Sequence, residues 1–170
     1  MDTPASITPN AILQAAELLE QRRARGPAEP GLTQAWVAVL AEVPLFASLS
    51  KRNLRRVARL ASAARFRRGA MIVTRGAPGD AFYVILDGEV EVQREAGPPI
   101  RLGRGDFFGE LALLDRKPRS AAIRAVSDVT AMRLRRAPFM KMLRDEPAIA
   151  VVLLEELAAR IRRADAVAAG

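Results

Sequence analysis

This sequence predicts an α+β fold: an antiparallel β-roll or barrel of about eight strands with a short helix set into it, flanked by N-terminal and C-terminal helices. Three observations carry the prediction. Apolar residues recur at helical spacing before Ala64 and again after Arg136. Between these limits the spacing changes to alternation, and turn residues return at short intervals. One stretch inside the alternating region, residues 107–121, breaks the pattern.

The first helix spans residues 8–26, with Thr8 as N-cap, Pro9 at the first helical position and Gly26 where a left-handed C-cap falls. Ile12, Leu13, Ala16 and Leu19 share one side, and Arg22, Arg23 and Arg25 complement the negative end of the helix dipole. Pro27 to Gly31 breaks the chain, so residues 1–30 read as an N-terminal helix and linker and residues 31–170 as the domain proper. A second helix follows from Thr33 to about Val43, stopped by Pro44, and a third from Ser50 to Ala63.

Strands are expected over Arg65–Val73, Ala81–Leu86, Glu89–Arg94, Ile100–Leu102, Ser120–Ala125 and Val129–Arg135. Asp87-Gly88 reads as a tight two-residue turn that closes a hairpin between the second and third of these. On the returning strand Val90 and Val92 share the buried face, opposite Glu89, Glu91 and Gln93. Helices resume around Pro138–Leu143 and from Pro147 to about Val167, where Ile149, Leu153, Leu157 and Ile161 form an apolar stripe.

Composition narrows the function. The 170 residues include no Cys and no His, which excludes disulfides, thiolate or imidazole metal sites, Cys nucleophiles and His-based triads. No enzyme activity, no metal and no cofactor are expected. No apolar run reaches the ~20 residues of a membrane span. Met1-Asp2-Thr3-Pro4 opens neither a secretory signal nor a transit peptide, so a cytoplasmic protein without membrane contact is expected. The net charge of +8 is concentrated in Lys51–Arg68 and Arg133–Arg144. These are read in the main as solvated faces, although they make anionic partners plausible.

The pattern-breaking stretch, F-F-G-E-L-A-L-L-D-R-K-P-R-S-A, carries the chemistry. A short helix fits Glu110–Leu114, and Gly109 lets the backbone approach a ligand while the helix start suits an anion. The guanidinium fork of Arg119 matches two phosphate oxygens. A carboxylate beside a phosphate repels it, so Glu110 is assigned to a hydroxyl donor such as a ribose 2′-OH. The run from Gly103 to Gly109 has the spacing of a dinucleotide fingerprint but lacks the strand-to-helix setting that its mechanism requires.

On F-G-E-L-A at Phe108–Ala112, P-R-S-A at Pro118–Ala121 and R-G-A-P-G-D-A-F-Y-V-I-L-D-G-E-V-E-V at Arg75–Val92, the sequence resembles the cyclic-nucleotide-binding domains. These domains are shared by the catabolite activator protein, the regulatory subunits of cAMP-dependent protein kinase and cyclic-nucleotide-gated channels. The resemblance spans about Val43 to Arg163. It implies cAMP, or cGMP, as the ligand. It further implies Glu110 on the ribose 2′-OH, Arg119 on the cyclic phosphate, and the N–H groups near Leu111 and Ala112 on the phosphate oxygens, within a cassette that includes Gly109 and Ala121. By the same resemblance Ser120 bonds the phosphate or the purine, Val92 touches the base, and Arg160 of the last helix caps the purine. The chain ends soon after that helix, so a stand-alone sensor is expected, one that signals by moving the C-terminal helix and docks or self-associates through residues 8–26. The alternative is a cAMP-responsive nucleic-acid-binding or transcription factor, or a fragment of one; the absence of a recognition-helix unit speaks against it.

Overall fold

The computed structural model describes residues 30–168. The helix expected over residues 8–26 lies outside them. In chain order the elements are α1 (Pro30–Glu42), α2 (Lys51–Ala58), β1 (Ala61–Phe66), β2 (Met71–Val73), β3 (Ala81–Asp87), β4 (Val90–Gln93), β5 (Ile100–Leu102), β6 (Phe107–Phe108), α3 (Glu110–Leu114), β7 (Ala122–Ala125), β8 (Val129–Arg135), α4 (Arg136–Asp145) and α5 (Pro147–Ala168). The strands form two four-stranded sheets, ordered β1-β8-β3-β6 and β2-β7-β4-β5, with every pair antiparallel. This is the expected α+β roll.

Two apolar clusters hold it together. One lies between the helices and the outer face of the first sheet, where Phe82, Val84, Leu86, Met132 and Leu134 meet Leu40, Phe46, Phe139 and Ile149. The other fills the space between the sheets, from Val73, Ile85, Val90, Phe108, Ile123, Val129 and Ala131. β3 therefore buries both faces, which is why A-F-Y-V-I-L is almost wholly apolar rather than alternating.

The hairpin read from Asp87-Gly88 is not formed. β3 pairs with β6 and β8, whereas β4 pairs with β5 and β7, so the turn carries the chain from one sheet to the other. Only Gly88 of the two has a positive φ (87°), and a Cβ there would collide with the Asp128 carbonyl. The Glu89 N–H donates to Ser127 Oγ at 2.9 Å, and the Val126 N–H donates to the Glu89 carbonyl at 3.0 Å. A left-handed glycine serves a crossing between sheets as well as a hairpin, and the dipeptide alone does not distinguish them.

The strand expected over Arg65–Val73 divides for the same reason. A turn at Gly69 (φ 85°) separates β1, in the first sheet, from β2, in the second. The Gly69 N–H donates to the Ala125 carbonyl, and the Arg68 N–H to Asp128 Oδ1, each at 2.8 Å. The third predicted helix is also shorter than expected. Ser50 caps it, its Oγ accepting the Asn53 N–H at 3.3 Å, but it ends at Ala58. Ala61 to Ala64, good helix formers by propensity, instead pair with Leu134 to Ala131. The strand expected from Ser120 begins at Ala122, and Phe107–Phe108 adds a two-residue strand not foreseen.

Along α5, Ile149 and Leu153 are buried and Leu157 is partly buried against the helical cluster. Ile161, the fourth member of the stripe, is 62% exposed, so the expected stripe loses its partners toward the helix end. Polar contacts fasten the packed part: Ser48 Oγ donates to Glu156 Oε1 at 2.5 Å, and Arg56 pairs with Glu146 between α4 and α5.

Candidate functional site

The second sheet builds the floor of the site. Its registers align Val73 with Ile123, Ile123 with Val92, and Val92 with Ile100, a row of β-branched side chains across all four strands. This row, with Leu102, lines a cavity of about 450 Å³. The volume and the predominantly apolar lining suit a small organic ligand.

The polar end of the cavity comes from the segment that broke the alternation. β6 leads into α3 and is pinned by its rings: Phe108 stacks on Tyr83 at 5.1 Å between centroids, and Phe107 lies 5.6 Å from Phe82. Gly109 is the N-cap of α3, with φ 82°. A Cβ on Gly109 would lie 2.7 Å from both the Ala81 carbonyl oxygen and Arg119 Nη1. Glycine at this position therefore makes room for the Arg119 side chain, a demand separate from any approach of a ligand.

Arg119 is held from three directions. Its N–H donates to the Ala77 carbonyl at 2.9 Å, and its carbonyl accepts the Gly76 N–H at 2.8 Å, so the loop before β3 fixes the backbone. Its Nη2 donates to the Ala81 carbonyl at 2.9 Å. Burial pushes the guanidinium below the ordinary arginine value, and nearby Tyr83, Asp80 and Glu110 oppose that shift. The group stays cationic at neutral pH. Among the described residues it has no carboxylate within ion-pair distance. A partly desolvated cation of this kind is stabilised by an anion brought into the cavity.

Gly109, Glu110, Leu111, Arg119, Ser120 and Ala121 all line the same cavity, and Val92 lies in its floor. Leu111 is 54% exposed at the rim. Ala112 lies in α3, but its side chain is outside the described part of the structure. Arg160 lies in α5, its side chain is likewise outside that part, and the described lining includes no residue of α5.

Comparison with known proteins decides the family. The family model for the cyclic nucleotide-binding domain matches residues 63–146. A regulatory subunit of cAMP-dependent protein kinase from Aspergillus fumigatus is 39% identical over 143 residues, which are 83% of this chain and 35% of that protein. The solved N-terminal domain of a transcriptional regulator from Streptomyces coelicolor A3(2) is 30% identical, with a TM-score of 0.66, over 76% of this chain and 93% of that one. The chain belongs to the cyclic nucleotide-binding domain family. A cyclic nucleotide-gated potassium channel from Mesorhizobium japonicum is 37% identical over 67% of this chain and 32% of its own length. The chain thus spans about a third of the curated relatives it matches.

Within this cyclic nucleotide-binding domain, sequence reasoning missed most of the cavity. Val73, Ile100, Leu102 and Ile123 are ordinary strand residues, and only the inter-strand register brings them beside Val92. Asp80 and Ala77, which act on Arg119, sit in the loop before β3, within the Arg75–Val92 stretch that resembles the family. Asp115 and Lys117 also line the cavity, and their charge in the pattern-breaking stretch was the available signal. No helix among the described residues is long and apolar enough to cross a membrane.

Proposed function

We propose that this domain binds cAMP, with the cyclic phosphate on Arg119 and the N–H groups of Leu111 and Ala112, the ribose 2′-hydroxyl on Glu110, and the purine over Val92 near Ser120. The observation that carries the proposal is the Arg119 guanidinium, partly desolvated and without an ion pair among the described residues, at the polar end of an otherwise apolar cavity beside Glu110. A singly charged phosphate on a ribose and a flat apolar base meets each of these features. Titration calorimetry tests it. The parent binds cAMP, and Arg119→Ala weakens binding by at least about 2 kcal/mol through loss of a charge-assisted bidentate contact. A variant that binds within about twofold of the parent, under 0.5 kcal/mol, overturns the phosphate assignment.

The output side of the proposal is a sensor that acts on a partner rather than a catalyst, in the cytoplasm. The signal leaves through α5, whose start is packed into the core while Val151, Leu154 and Ile161 are exposed. Ligand shifts an equilibrium between positions of this helix, with Arg160 as purine cap in the bound one. The helix expected over residues 8–26 serves docking or self-association in the stand-alone form of this reading. A second reading, a cAMP-responsive transcription factor, is favoured by the likeness to the Streptomyces regulator domain and by exposed Arg52 and Arg55 on α2 and Arg59 at its C-cap. Duplex DNA binding by this chain that depends on cAMP would select it.

A further inference from the structure

We propose that Lys117 steers the anionic ligand into the cavity, acting on the rate of association rather than on the contacts of the bound state. The inference rests on the reading of the cavity as a cyclic-phosphate site. It starts from the turn that follows α3. Asp115 Oδ1 accepts the Lys117 N–H at 3.0 Å, and Arg116 between them takes a left-handed φ of 56°. Pro118 then holds Lys117 away from helical geometry. The turn brings Asp115, Lys117 and Arg119 to the cavity wall, and the described lining does not include Arg116.

The formal charges on that wall balance. Its acids are Glu110 and Asp115, and its bases are Lys117 and Arg119. Arg119 is withdrawn from water, bonded to the Ala81 carbonyl and acted on by a third carboxylate, Asp80. The exposed charges of this turn are Asp115, Arg116 and Lys117, of which Asp115 and Lys117 lie on the cavity wall and contribute to the field that an approaching monoanion meets at the mouth. Without Lys117 the wall loses one of its two bases, and the attraction that an anion meets before it reaches Arg119 is weaker.

The same exposure says which step Lys117 controls. Its ammonium makes no ion pair among the described residues. A solvated, mobile lysine adds little to a complex already formed. Its field nevertheless reaches about 10 Å at moderate ionic strength, and charges placed at the rim of a site change association rate and salt dependence.

Stopped-flow binding of a fluorescent cAMP analogue to the full chain tests this at about 20 mM and about 500 mM salt. Lys117→Glu is expected to slow association about fivefold at low salt, and Lys117→Gln about twofold. Asp115→Asn, which keeps an acceptor for the Lys117 N–H, is expected to accelerate it about twofold. Dissociation stays within about 1.5-fold of the parent, and the differences collapse at high salt. A change in dissociation that survives high salt would make Lys117 a contact of the bound ligand and overturn steering. Association rates indifferent to residue 117, in a parent that binds the analogue, overturn it as well. A parent that does not bind the analogue removes the cyclic-phosphate reading, and this proposal with it.

Discussion

Gly109→Ala separates two demands that meet at one residue. The left-handed φ of 82° costs a non-glycine residue about 1–2 kcal/mol. The new Cβ also lies 2.7 Å from Arg119 Nη1 and from the Ala81 oxygen, closer than carbon packs against nitrogen or oxygen. The side chain can yield, but the strand carbonyl cannot without disturbing β3. Moving the guanidinium breaks its 2.9 Å bond to the Ala81 carbonyl, a charge-assisted bond worth about 1–2 kcal/mol. The stiffer unfolded chain offsets about 0.5–1 kcal/mol. With the cost of the Ala81 carbonyl clash added, the net expectation is a loss of at least about 2 kcal/mol in urea unfolding of the ligand-free protein. In an Arg119→Ala background the guanidinium clash is gone while the φ and Ala81 carbonyl costs remain, so the loss falls by about 1 kcal/mol, which is the coupling between the two sites. If Arg119 holds the cyclic phosphate as proposed, the affinity of Gly109→Ala for cAMP falls too, because the guanidinium is displaced. Equal cost in both backgrounds would refute the view that Gly109 exists to seat Arg119. A variant as stable as the parent would refute the backbone argument also.

Two further outcomes follow from the site. Glu110→Gln weakens cAMP more than 2′-deoxy-cAMP, by about 1–2 kcal/mol of non-additivity in a cycle measured by calorimetry, and equal losses for both ligands rule out the ribose role. Deletion of residues 156–170 removes the Glu156 contact to Ser48 but retains buried Ile149 and Leu153, so the roll stays folded by circular dichroism. Dissociation of cAMP then speeds up if α5 covers the bound base, and unchanged kinetics would show that the helix is a fixed structural element.

Much of this fold was legible from local pattern. The α3 limits, β5 and β8 follow directly from spacing, because a break in alternation, a short apolar alternation and a seven-residue period-2 run each have one local solution. The polar end of the site was equally legible, since Gly109, Glu110, Arg119 and Ser120 lie within a dozen residues of one another. Their chemistry is carried by side-chain type, and their proximity needs only a short helix and a turn.

Tertiary structure alone decided the remainder. Asp87-Gly88 and Arg68-Gly69 each supply a positive φ, but whether the chain then returns along its own strand or crosses to another sheet depends on who offers hydrogen bonds beyond the turn. Here Ser127, Asp128 and Ala125, nearly 40 residues or more away, offer them. Likewise Ala61–Ala64 is helical by propensity and a strand by partnership with β8. The apolar floor is the clearest case, because Val73, Ile123, Val92 and Ile100 become one surface only when four strands from distant parts of the chain lock into register. A sequence specifies which side of a strand each residue faces, through the period of two, but neighbours across a sheet are set by long-range pairing, which no local pattern encodes.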